Sequence, residues 1–243
     1  MKKNRGFKIL IKTLMVLMAV FLVLIIGLSI YSSTSYQSLT EMDTAIDSLD
    51  LSAVTMIEKN SSIKYTVSNA KMNIIFIPGG LVDPDSYKYL ASGLALEGYN
   101  VTIVKVLFNL AILTPNTAKK YIDDTMDNAI IGHSLGGVVA SMVASGNENT
   151  DKIILLGSYP IKDIKGQDSL IITAEHDDAM DQEKFNASLQ YVNGENTIYN
   201  IDGGNHAQFG WYGIQKGDGT AEISTLVQQN LVISQISLFL DNN

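Results

Sequence analysis

The sequence has no cysteine among its 243 residues. That excludes a disulfide framework, a thiolate-held metal and a lipid-modified N-terminal cysteine, and it leaves the compartment open. Histidine is scarce too: there are three, without ligand spacing and without an H-E-x-x-H pattern, so no metal and no cofactor is expected. No G-x-x-x-x-G-K-[ST] run is present to cradle a phosphate. Basic residues are few beyond the N-terminus. Lys2, Lys3, Arg5, Lys8 and Lys12 are five of the 17, and all 25 acids lie from Glu41 onward. The chain after residue 12 therefore carries a formal charge of −13, which repels nucleic acid and anionic headgroups as substrates. No long internal repeat is visible.

The residues that are present bound the architecture. With 46% hydrophobic residues, the chain can bury one good-sized core, and an α/β domain of about 200 residues is expected. Thr13 to Tyr31 is an uncharged, almost wholly apolar run of 19 residues. At about 1.5 Å per residue, a helix of that length nearly crosses a hydrocarbon core of about 30 Å. The reading is a cytoplasmic basic segment at 1–12, a transmembrane anchor at 13–31, a linker at 32–50 and a folded domain at 51–243 outside the cytoplasm. A cleaved signal peptide is the alternative, with Ser33 and Ser35 as the small residues nearby; the apolar run exceeds the usual h-region and no A-x-A site follows.

Within the linker, Glu41 to Asp50 reads as a solvated helix or loop. Ala53–Glu58 and Ile63–Ser68 alternate as a hairpin at the sheet edge. Strands are expected at 73–77, 101–106, 129–131, 152–156, 169–173 and 197–201. Helices are expected at 87–97, 117–125, 138–144, 182–191 and about 220–240. That alternation implies a mostly parallel sheet with helices on both faces, whose ligands bind beyond the carboxyl ends of the strands.

Gly132-His133-Ser134-Leu135-Gly136 is a G-x-S-x-G stretch between a strand and a helix, the context of a nucleophile elbow, and Ser134 is the candidate nucleophile. A serine needs a base and the base needs an orienting acid. His206, in the glycine-rich loop after the last strand, is the candidate base, while His133 reads as structural and His176 as a neighbour of the acid. The order Ser, acid, His places the acid after the strand at 169–173, where Asp177 is preferred to Asp178. The candidate oxyanion donors are the backbone N–H groups of Leu135 and of Gly80 or Leu81. The spacings leave no room for a cap domain, so the site is expected to be open, walled by Leu81, Leu107, Leu110, Phe209, Trp211 and above all Phe108 and Tyr159.

Ile77-Pro-Gly-Gly-Leu-Val-Asp-Pro-Asp-Ser-Tyr87, Phe108-Asn-Leu-Ala111, Gly132-His-Ser-Leu-Gly-Gly137, Ser158-Tyr-Pro160, Gly203-Gly-Asn-His-Ala-Gln-Phe-Gly210 and Gln215-Lys-Gly-Asp-Gly219 together resemble the compact bacterial α/β-hydrolases of the "fold-5" family, relatives of dienelactone hydrolases. The resemblance covers roughly residues 74 to 230. It implies an α/β-hydrolase fold, a Ser134–Asp177–His206 triad and, often, a membrane-anchored extracytoplasmic setting. One departure is Ala174, which stands where such proteins usually begin a Gly-x-x-Asp turn. The expected activity is hydrolysis of a small-molecule or lipid-like ester through an acyl-enzyme. Acyl transfer to an envelope acceptor, or a tethered binding module without turnover, are the alternatives.

Overall fold

A computed structural model describes residues 3–164 and 166–242. The chain divides into two compact units, with the boundary between Ser35 and Tyr36. The first is one helix, α1 (Lys3–Ser32). Within its Gly6–Ser32 stretch an 18-residue window has a mean hydropathy of 3.0, and no residue of that window is buried. By length and composition such a helix can cross a membrane, and a signal sequence shares that character.

The second unit is built on an eight-stranded sheet in the order β1-β2-β4-β3-β5-β6-β7-β8. The strands are β1 (Thr55–Lys59), β2 (Ser62–Thr66), β3 (Asn73–Ile77), β4 (Asn100–Val104), β5 (Asn128–His133), β6 (Lys152–Leu156), β7 (Asp168–Ala174) and β8 (Asn196–Ile201). β1 and β2 form the expected antiparallel hairpin at one edge, β2 pairs antiparallel with β4, and all other pairings are parallel. Alternate residues feed two apolar layers. Ile74 and Phe76 of β3 join Ile131, Leu156 and Ile172 on one face, while Ile75 and Ile77 join Ile130, Leu155 and Ile171 on the other. A strand covered on both sides has no polar face to spare, which is why these strands read as unbroken apolar runs.

Helices α2 (Thr40–Asp47), α3 (Lys88–Leu96) and α6 (Thr225–Asp241) contribute to the first layer, and α4 (Leu135–Ser145) and α5 (Gln182–Ser188) to the second. Residues 36–50, expected to be a solvated linker, behave differently. α2 sends Met42 into the core at 1% exposure, and Tyr36 N–H donates to Leu81 O at 2.8 Å. A single buried methionine among acids is too little for a periodic signal. The helix expected at 117–125 is also absent. Its place is taken by 3-10 turns ending at Pro115–Tyr121, after which Asp123 Oδ1 accepts the Thr125 N–H and hydroxyl, and the Asn128 amide donates to Asp123 O and Met126 O. Short polar side chains that satisfy the main chain locally compete with the helix. α6 begins at Thr225, capped by Ser224 Oγ on Val227 N–H, so residues 220–224 lie outside it. Among the described residues no cap domain interrupts the strand-to-helix connections.

Candidate active site

At the carboxyl end of β5 the chain turns sharply into α4, and Ser134 sits at the turn with φ 52° and ψ −124°. That conformation is costly for a residue with a side chain and exposes its hydroxyl above the sheet. Gly136 permits the turn: a Cβ there would stand 2.2 Å from Ile77 O. Ser158, at the end of β6, donates its hydroxyl to Ser134 O at 2.6 Å and holds the carbonyl of the strained residue.

Asp177 and His206 arrive from the ends of β7 and β8. Asp177 Oδ2 lies 2.8 Å from His206 Nδ1, and both side chains are almost wholly buried. The other carboxylate oxygen accepts from Met180 N–H at 2.8 Å and Ala179 N–H at 3.1 Å, so this carboxylate is committed on both sides. Asp178 is exposed and makes no such bond. Ala174 does not disturb the turn, since Asp177 N–H donates to Ala174 O at 3.2 Å. Gly157 (φ 50°) lies against the pair. A Cβ there would come within 2.9 Å of both Asp177 Oδ2 and His206 Nδ1, so the pair exists only because this residue is glycine.

Behind His206 is a buried polar chain. Tyr87 Oη accepts from Gly79 N–H at 3.0 Å and lies 2.8 Å from His133 Nδ1. His133 is fully buried and packs 4.6 Å, centroid to centroid, from His206. Burial, reinforced by any charge on His206, holds its pKa well below the usual 6.5, and burial likewise pushes the Tyr87 phenol up.

Ser134, Leu135 and His206 line one open cleft of about 300 Å3, with Val138, Gly157, Ser158, Tyr159, Ala179, Met180, Asp181 and Lys184. Tyr159 is where the sequence suggests. Phe108 is not: it lies in a tight turn at φ 58° and outside the cleft lining, as do Leu81, Leu107 and Leu110. Phe209 and Trp211 are core residues, 0% and 7% exposed. Among the described residues, neither the Gly80 nor the Leu135 N–H is found donating to another main-chain group, and a Cβ on Gly80 would touch the Leu135 side chain at 2.8 Å. The Leu81 N–H is occupied, donating to Asn109 O at 2.8 Å, so it is not free to meet an oxyanion. His176 faces Glu222 at 3.3 Å, away from His206.

Asp218, inside the Gln215–Gly219 stretch of the resemblance, has no role assigned from the sequence: its carboxylate accepts from Ala207 N–H at 2.8 Å, Gly219 N–H at 2.9 Å and His206 N–H at 3.3 Å. Lys184 follows Asp181, the N-cap of α5, at helical spacing; that spacing was the available signal for the α5 wall.

The family model described as "Alpha/beta hydrolase family" matches residues 73–230. The chain belongs to the α/β-hydrolase family. Among solved structures this hydrolase is similar to an esterase from Pyrobaculum calidifontis, at 14% identity and TM-score 0.56 over 82% of this chain and 88% of that one. It is similar also to a dienelactone hydrolase from Anabaena variabilis, at 11% identity and TM-score 0.59 over 77% and 97%, and to the protein TT1662 from Thermus thermophilus, at 10% identity and TM-score 0.60 over 78% and 99%. At these identities the likeness is one of fold. A search of curated protein sequences finds no match to this hydrolase.

Proposed function

We propose that this α/β-hydrolase is a serine esterase, tethered to a membrane by α1, with its second unit outside the cytoplasm. The observation that carries the reading is the committed Asp177–His206 pair, 2.8 Å apart, opening with Ser134 onto one cleft. Asp177 fixes the proton on His206 Nδ1, so Nε2 is left as the base. His206 takes the Ser134 hydroxyl proton as Oγ bonds to the ester carbonyl carbon. The oxyanion accepts from the N–H groups of Gly80 and Leu135, which need no reorganisation to receive it. On collapse the carbonyl–alkoxide bond breaks, the proton passes from His206 to the departing alcohol, and water repeats the sequence to free the acid and Ser134. The basic residues Lys2, Lys3, Arg5, Lys8 and Lys12, ahead of the apolar run, support a cytoplasmic N-terminus.

The test is hydrolysis of a short p-nitrophenyl ester by the full-length chain. Ser134→Ala is expected to lower kcat by about 10^4-fold or more; a folded Ser134→Ala variant with wild-type turnover would refute the mechanism. The tether is tested separately: the chain made in a bacterium should resist carbonate extraction from membranes and lose that retention when 3–32 is deleted.

A further inference from the structure

Beside the Ser134 cleft lies a second depression, of about 220 Å3, whose walls include Tyr159, Pro160, Ile161, Lys184, Ala187 and Tyr191. Tyr159 and Lys184 line both hollows, so the two adjoin at these side chains and together make a shallow trough beside α5. Its chemistry changes along its length. The Ser134 end carries Ser158, Asp181 and His206. The far end offers a proline ring, two tyrosines, the Ala187 methyl group and Ile161, an isoleucine left 42% exposed, while its polar members Ser188 and Gln190 donate to the carbonyls of Phe185 and Ala187. The cation on this wall is already answered, since Lys184 Nζ lies 2.8 Å from Asp181 Oδ2. A lysine so held can line an apolar path with its stem while its ammonium stays in water.

We propose that this trough is an acyl subsite, and that the substrate is an ester of an unbranched aliphatic acid. The chain lies over Tyr159 and along Pro160, Ile161 and Ala187 while its carbonyl carbon sits at Ser134. The proposal rests on the serine-esterase reading. The acyl half is assigned because it stays bonded to Ser134 Oγ through the second step, so whatever it gains from the trough serves both barriers, whereas the alcohol departs once protonated. Among the described residues no cap covers the trough. Each methylene laid against a half-open apolar wall is therefore worth less than the roughly fourfold of full burial, and the preference grows gradually with chain length.

The test uses the full-length protein in lipid nanodiscs with p-nitrophenyl acetate, butyrate and octanoate, alongside ethyl, butyl and octyl acetates. A fluorophosphonate assay of Ser134 runs in parallel. The octanoate-to-acetate ratio of kcat/KM is expected to reach about tenfold or more. Ala187→Trp, which fills the trough from an exposed position, and Ile161→Asp should each cut that ratio about fivefold or more. A labelled enzyme with a flat acyl series, a ratio untouched by both variants, or length dependence confined to the alkyl acetates would overturn the acyl subsite and leave the esterase standing. A folded protein that fluorophosphonate does not label at Ser134 overturns the esterase reading and the subsite with it.

Discussion

The two walls of the Ser134 cleft are held in opposite ways. On the His206 side several main-chain groups have a side-chain partner. Besides the Asp218 carboxylate, Gln228 receives Asn205 N–H at 3.0 Å and returns its amide to Asn205 O at 2.8 Å, and Gln229 donates to Gln208 O at 2.7 Å. On the α5 side, Lys184 and Ala187 are exposed, and one surface ion pair ties the wall together. A group that moves protons gains from being fixed before the substrate arrives. A wall that only shelters an apolar chain needs shape and little else. On the proposed mechanism, the contrast separates where the chemistry is built from where selectivity is free to vary.

Substitutions on the rigid wall should break the contrast most. Asp177→Asn keeps the shape but lets His206 take the wrong tautomer, and kcat is expected to fall about 10^3- to 10^4-fold with little change in KM. Steady-state kinetics on a short ester, with a melting curve to show the fold intact, checks this. Asp218→Asn loses one of the two oxygens that hold the start of the His206 turn. An expected drop of about 10- to 100-fold, again in kcat rather than KM, would mark it as a positioning residue; an equal change in KM would argue for substrate contact.

The buried neutral His133 gives an acid limb to stability. Its folded pKa lies well below 6.5, so as pH falls through that value the unfolded chain binds a proton that the native state refuses. Stability is then full above about pH 6.5 and falls below it by up to about 1.4 kcal/mol per pH unit until the folded pKa is reached. His133→Gln should flatten that limb in urea titrations across pH 4.5–7. The smallest effect is expected on the loose wall: Lys184→Ala should change kcat/KM for a neutral short ester by less than about threefold, because an exposed ion pair contributes little.

Much of this contrast was legible in the residues, and the reasons for the remainder are physical. The parallel sheet announced itself because strands covered on both faces, such as Asn73–Ile77, are continuous apolar runs. Ser134, Asp177 and His206 were accessible because the fold places them at strand ends in a fixed chain order. The cleft walls were not: Phe108 looked like a pocket aromatic, but a positive φ turns its loop aside, and the apolar trough draws on Tyr159 and α5, which periodicity cannot bring together. Ser158 and Asp218 lie in stretches that carry the resemblance, yet the roles of Gly157, Ser158 and Asp218 rest on close approach and main-chain hydrogen bonds, which spacing does not reveal. The helix expected at 117–125 failed because Asp123 and Asn128 satisfy the intervening backbone themselves.

The central claim is that Ser134 is the nucleophile that the rigid wall serves. Intact and peptide mass spectrometry after exposure to a fluorophosphonate tests it most directly. The account predicts one adduct on the peptide carrying Ser134, abolished in Ser134→Ala and formed much more slowly in His206→Ala. A folded wild type that acquires no adduct, or one that is modified at another residue, would contradict it.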